Sequence, residues 1–184
     1  MELYSDTYYI SRIQAGDTRC FACLLDRYSR PVHALICKIV HNREDAEELA
    51  QDVFVKAFEN LSRFKGDCSF STWLYRIAYN AAISAMRKTK HEWLAIDEHL
   101  IDQVSEEDAA RLLNQVDNSE RVRLLEQALA LLPPEERDVI LLFYWQGKSV
   151  EEIAQISGLS EANVKIRLFR IRKKLYVQIK KWEE

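Results

Sequence analysis

From about residue 5 to residue 90, apolar side chains recur every three or four positions, the spacing that gives a helix one buried stripe. Apolar and polar residues nowhere alternate with period two, so the pattern predicts helices only. Two of them are informative. In Arg43–Leu61, the residues Ala46, Leu49, Ala50, Val53, Phe54, Ala57 and Leu61 line one side, and Glu44, Glu48, Gln51, Asp52, Val55 and Glu59 the other. In Ser71–Lys88 the expected core side is Leu74, Ile77, Ala78, Ala81 and Ala85, continued by Phe70 just before it. The outer side is Thr72, Arg76, Tyr79, Ile83 and Arg87, with Trp73 and Asn80 at the edges. Between the two helices, Phe64-Lys65-Gly66-Asp67-Cys68-Ser69 reads as a loop, with glycine where a tight turn needs it.

Residues 91–118 lose this order and read as a linker with transient or bound-state helix. A new helix starts near Ser119 on Val122, Leu125, Leu129 and Leu132, and Pro133-Pro134 ends it. Pro134 suits the first position of the next helix, Glu135–Trp145. Ser149 with Glu152 then forms a capping box, Gly158 supplies a left-handed stop, and Ser160 caps a longer helix. Two helices joined in this way make a helix-turn-helix, whose second member fits a DNA major groove. At about 100° per residue, Val164, Leu168, Ile171 and Leu175 face the core. Ala162, Ile166, Phe169, Arg170 and Lys173 lie opposite, flanked by Lys165 and Arg172. Lysines and arginines are common on any solvated helix, but exposed Ile166 and Phe169 among them suit base readout. Apolar groups meet thymine methyls while cations reach guanine edges and phosphates. The fold class is therefore all-α, with two small helical domains at 1–90 and 119–184 joined by the linker 91–118.

Charge sharpens this division. The 184 residues carry a net charge of −3, which is unexpected for a DNA binder until it is divided along the chain. Residues 1–90 sum to +2, residues 91–120 to −8, and residues 121–184 to +3, so the acidity is concentrated in the middle. A hydrophobic content of 48% with 30% charged residues fits a soluble folded chain. No leader-like start and no apolar run near 18 residues is present, which leads us to expect a cytoplasmic protein. Cys20-x-x-Cys23, with His33, Cys37 or His41 nearby, invites a metal reading. The second closely spaced ligand pair of a zinc site is missing, so the expectation is no metal and reduced thiols.

Two faces in the first half admit a functional reading. The acidic side of 43–61 is either a solvated surface or a docking face for a basic partner helix. The aromatic and arginine residues of 71–88 are either core or a stacking surface for unpaired bases. No nucleophile–base set, phosphate loop or cofactor motif appears, which argues against an enzyme or a small-molecule substrate.

Taken together, these segments resemble the extracytoplasmic-function (ECF) group of bacterial sigma factors, in the sigma-70 family. The likeness rests on Ala15-Gly16-Asp17 with the following FACLLDRY, on DAEELAQDVFVKAF (45–58), and on FKGDCSFSTWLYRIAYN (64–80). In the second half it rests on LPPEERDVILL (132–142) and SVEEIAQISGLSEANVKIRLFRIRKKL (149–175). It implies a region 2-like first domain whose Asp45, Glu48, Gln51, Asp52 and Val55 dock on the β′ clamp helices of core RNA polymerase. It further implies −10 promoter melting by Phe64, Lys65, Ser69, Thr72, Trp73, Arg76, Tyr79, Asn80 and Arg87, with Phe64, Lys65 and Asn80 around a flipped base. The second domain would be region 4-like, touch the β flap, and read the −35 duplex through Lys165, Ile166, Arg167, Phe169, Arg170 and Lys173. An anti-sigma factor, membrane-anchored by the same resemblance, is a further implied partner.

The recognition helix departs from the family's usual Gly-Thr-Val-Lys/Arg-Ser, having Ala162-Asn163-Val164-Lys165-Ile166, which puts the −35 sequence in question. Length agrees with two-part reading. Sites two DNA turns apart lie about 70 Å apart, and a 28-residue tether reaches at most about 90–100 Å. By the same resemblance, the −8 charge of residues 91–120 suits threading a basic polymerase channel. Competing readings are a decoy that titrates an anti-sigma factor without binding DNA, and an ordinary helix-turn-helix repressor. The eight Lys and Arg against three acids in 161–184 weigh against the decoy, and the first 90 residues against the repressor.

Overall fold

The computed structural model describes residues 4–40, 42–87, 96, 98–114 and 119–183, with no strand among them. The chain divides into two compact units, one built on Met1–Lys88 and the other on Thr89–Ala154 with Gly158–Glu184.

The first unit holds α1 (Asp6–Gln14), α2 (Phe21–Ile39), α3 (Arg43–Asn60) and α4 (Phe70–Met86). Three of these four helices are capped by a side chain at the start. Ser5 accepts from the Tyr8 N–H, Asn42 from those of Glu44 and Asp45, and Ser69 from that of Thr72. α2 packs on α3, and α4 lies against both. Leu24, Val32, Leu35, Ile36, Ile39, Val53, Leu74 and Ala78 fill the core between them. α1 is fastened by Asp6, which pairs with Arg27 and accepts from the Tyr28 hydroxyl. Burial, with that bond second, pushes the Tyr28 pKa upward.

Contact with two neighbours rotates the buried side of α4 away from the single stripe expected. Tyr75, Tyr79, Ala82, Ile83 and Met86 are buried, whereas Ile77, Ala81 and Ala85 are only half-buried. Tyr79 and Ile83, expected outside, belong to the core because a helix wedged between two others buries a wider arc than a surface helix.

The second unit holds α5 (Glu98–Gln103), α6 (Glu106–Asn114), α7 (Ser119–Ala130), α8 (Pro134–Tyr144), α9 (Val150–Ser157) and α10 (Glu161–Glu183). α10 packs against α5, α6, α7 and α8. The segment expected to be a tether with transient helix thus contains two helices against α10. Ile101 and Ala109 are buried, and Glu106 lies 3.6 Å from the guanidinium of Arg172. Of the expected linker 91–118, residues 91–95, 97 and 115–118 lie outside the described residues. Val122, expected to share the apolar stripe of α7, is exposed, while Leu125, Leu129 and Leu132 are buried.

Arg137, at 1% exposure, donates to the carbonyl oxygens of Leu129, Ala130 and Leu132 at the end of α7. The last carbonyls of a helix lack the usual intrahelical partner, and although that of Leu129 also accepts from the Leu132 N–H, one guanidinium closes the α7–α8 corner. Burial lowers its pKa to about 10, leaving it charged at neutral pH. Lys174 reaches back from α10 to Glu136 at 2.7 Å.

Candidate nucleic-acid interface

The turn between α9 and α10 forms as its sequence dictates. Ser149 accepts from the Glu152 N–H while the Glu152 carboxylate accepts from that of Ser149, and Gly158 takes φ 75°. Ser160 then accepts from the Asn163 N–H at the head of α10. Val164, Leu168, Ile171 and Leu175 are buried, which turns Lys165, Ile166 and Arg170 to solvent. Ile166 is 56% exposed, and no local packing accounts for an isoleucine there. Arg167 and Phe169 are half-buried.

Lys173 departs from the expected reading face. It is 8% exposed, with its ammonium 4.5 Å from the centroid of the Phe169 ring one turn earlier. A cation held over a ring face gains electrostatic attraction, so Phe169 and Lys173 engage each other. Arg172 is likewise occupied: it donates to the Tyr144 hydroxyl at 2.9 Å and lies over the Phe143 and Tyr144 rings.

In the first unit, Gly66 at φ 82° turns the loop, and Phe64, Phe70 and Trp73 form an aromatic edge. The Phe64 centroid lies 5.2 Å from Trp73 and 6.1 Å from Phe70. Phe64 and Trp73 are half-buried, Phe70 is buried, and Lys65, Ser69, Arg76, Asn80 and Arg87 are exposed. Thr72, expected to face outward, is 2% exposed, and its Oγ1 accepts from the Ser69 hydroxyl at 2.8 Å. Its place beside the cap of α4 leaves it no reach beyond the protein.

Two cavities flank this edge. A groove of about 680 Å³ between α3 and α4 is lined by Asp52, Lys56, Arg63, Trp73 and Asn80, among others. A smaller cavity of about 270 Å³ lies between the loop and α1 and takes in Phe64 and Lys65. Phe64, Lys65 and Asn80, expected around one pocket, are therefore divided between two, on either side of the Phe64–Trp73 contact. Lys56 and Arg63 were missed by the sequence reading. The run Asp52, Lys56, Asn60 at i, i+4 and i+8 marks that edge of α3 and could have disclosed them.

Asp45, Glu48, Gln51, Asp52 and Val55 are all exposed on α3, with Val55 at 56%. Asp45 also stands in the first turn, where the helix dipole favours a negative charge. The surface is acidic with one apolar contact point, a complement to a basic amphipathic helix.

The four cysteines are free and half-buried. The Cys37 thiol lies 3.4 Å from His33 Nε2, and burial raises its pKa. No cluster of three potential metal ligands occurs among the described residues, and His41 lies outside them. Among the described residues no helix is long and apolar enough to cross a membrane.

The sequence matches two protein-family descriptions in the order these surfaces follow: sigma-70 region 2 over residues 24–92, and sigma-70 region 4 over residues 122–175. It is 32% identical to the ECF RNA polymerase sigma factor SigW of Bacillus subtilis, over 93% of this chain and 95% of that protein. Against the ECF sigma-E factor of Escherichia coli strain K12 the identity is also 32%, over 93% and 92%. Against the RNA polymerase sigma-H factor of Pseudomonas aeruginosa it is 30%, over 91% and 90%. The fold resembles that of CnrH solved with the cytosolic domain of CnrY, with a TM-score of 0.69 and 27% identity over 94% and 95% of the two chains. It also resembles the sigma factor RpoE bound to the anti-sigma factor NepR from Bartonella quintana, with a TM-score of 0.66 over 87% and 96%.

Proposed function

The chain belongs to the ECF group of the sigma-70 family, and from that membership we propose how its surfaces share the work of promoter recognition. It is an alternative sigma factor, which binds core RNA polymerase and directs it to promoters, and it is not an enzyme.

The exposed face of α3, with Asp45, Glu48, Gln51, Asp52 and Val55, docks on the β′ clamp helices. The second unit meets the β flap. Lys165, Ile166, Arg167 and Arg170 read the −35 duplex, with Phe169 and Lys173 acting as a pair at the edge of that surface. The −10 element opens against Phe64 and Trp73. Lys65, Arg76, Asn80 and Arg87 hold the displaced strand, and the groove with Lys56 and Arg63 continues its path. Ser69 shapes this surface by capping α4. Opening is driven by binding, since stacking a base on an aromatic ring is worth about 1–3 kcal/mol. The acidic segment 91–118 threads the polymerase channel.

The observation that carries this reading is the aromatic edge Phe64–Trp73 beside a groove with Lys56, Arg63 and Asn80, next to an acidic α3 face. Stacking surface, phosphate-tracking cations and polymerase-facing acids share one unit. CnrH and RpoE were each solved with a bound partner, the latter an anti-sigma factor. By analogy this chain is held in check by an anti-sigma factor, one anchored in the membrane, and acts in the cytoplasm where the polymerase is. Run-off transcription with core polymerase on a genomic library tests the proposal. Promoters that fire only with this chain are expected. A chain that binds polymerase yet starts no transcript would turn the reading toward the decoy.

A further inference from the structure

α10 is enclosed along its second half. From Ile171 to Ile179 none of its residues is exposed, although the stretch includes Arg172, Lys173 and Lys174. The helices that pack on α10 include α5 and α6, which come from the acidic segment.

Arg172 shows what that segment does to the basic surface. Its Nε donates to the Tyr144 hydroxyl at 2.9 Å, and its guanidinium lies over the Phe143 and Tyr144 rings. α8 therefore orients the group without neutralising its charge. Nη1 is turned to Glu106 Oε1 at 3.6 Å, in the first turn of α6, beside exposed Glu107 and Asp108. A pre-oriented guanidinium facing an anionic oxygen is the arrangement that binds phosphate. Here a carboxylate of the same chain fills it, two residues beyond Arg170 of the reading surface.

The hold is light. Ile101 and Ala109 are buried, but Leu100 is exposed and 60% of the Glu106 side chain is open to solvent. A segment drawn through a polymerase channel cannot at the same time lie folded on α10.

We infer that residues 98–114 are an intramolecular cover for the DNA-binding helix. In the free chain they lie on α10, with Glu106 where a DNA phosphate would meet Arg172. Core polymerase takes the segment into its channel and so uncovers that cation. This rests on the proposed −35 role of α10 and the proposed path of the segment, and adds an order of events, polymerase first and duplex second. Non-specific duplex affinity comes mainly from phosphate contacts, so the covered chain holds duplex weakly until polymerase arrives.

The test uses the full chain and a pool of duplex DNA of random sequence, with and without core polymerase. Glu106→Gln should raise the affinity of the free chain for the pool about two- to fivefold, the worth of one exposed ion pair. Glu107→Gln makes the same change of charge one residue away and should raise it less. Adding Arg172→Gln should abolish the gain from Glu106→Gln, because that gain acts through the guanidinium. Hydrogen exchange of the unmutated chain gives a second measure. Residues 98–114 should exchange slowly when the chain is free and fast once polymerase is bound. A gain from Glu106→Gln no larger than that from Glu107→Gln, a gain that survives Arg172→Gln, or exchange in 98–114 unchanged by polymerase overturns the inference and leaves the −35 reading standing. A polymerase-bound chain that selects no duplex sequence removes that reading, and the inference with it.

Discussion

Asp138 in α8 is wholly buried, and neither carboxylate oxygen has a hydrogen-bond partner. Arg137 is adjacent in sequence but directs its N–H groups to the carbonyls that end α7. Burial therefore pushes the Asp138 pKa well above its usual 3.8, Arg137 offsets only part of this, and Glu135 adds repulsion. A carboxyl with a raised folded pKa binds its proton more tightly folded than unfolded. Its contribution to stability is whole below about pH 3.8 and is lost as pH rises toward the folded pKa. Within that window the loss is about 1.4 kcal/mol per pH unit. Asp138→Asn keeps the shape and removes the titration. The variant should gain on the wild type by up to about 1.4 kcal/mol for each pH unit above about 3.8, until the folded pKa is passed. Urea titrations at several pH values, followed by circular dichroism and tryptophan fluorescence, measure this. Wild-type and variant stabilities that stay parallel across that range would refute the reasoning, because they would mean the carboxyl is hydrated or paired.

Arg137→Met removes the donor to three carbonyls and leaves that of Leu132 buried without it, at about 1–3 kcal/mol, so the second unit should unfold at lower urea while the melt of the first unit is unchanged. Ile166→Ser should leave fold and polymerase binding intact and change the bases recovered in duplex selection; recovery of the same sequences would take Ile166 out of the DNA contact. Asp52→Lys with Val55→Glu should weaken polymerase binding at least tenfold in a pull-down titration without altering the circular dichroism spectrum, and undiminished binding would move the docking face elsewhere.

The helix-turn-helix was legible nearly residue by residue, because its signals are local: a capping box, a glycine at positive φ, and a four-residue apolar stripe. α4 was legible as a helix but not in its orientation. Periodicity counts apolar positions and cannot say that two neighbours will cover adjacent sides, so Thr72 and Tyr79 were assigned to solvent. Lys173 was misplaced for a related reason, since a helical wheel shows where a side chain starts and not that its ammonium returns over Phe169. The wall formed by α1 was invisible, because Gln14 meets the loop carbonyls across 47 and 50 residues of chain. Residues 98–114 misled through composition. Acidity suggested a linker with only transient or bound-state helix, but Ile101 and Ala109 are buried where α5 and α6 pack on α10.

That folded acidic segment makes the span of the protein an adjustable quantity. α5 and α6 hold 6 and 9 residues, which as helix cover roughly 22 Å at about 1.5 Å each. Drawn out at about 3.3–3.6 Å each, the same residues cover roughly 50 Å. The difference, roughly 28 Å, corresponds to about eight base pairs at 3.4 Å apiece. Slack of that size, held as short helices against α10, would couple the spacing of the DNA elements a promoter can offer to the cost of unwinding about four turns of helix and parting the Glu106–Arg172 pair.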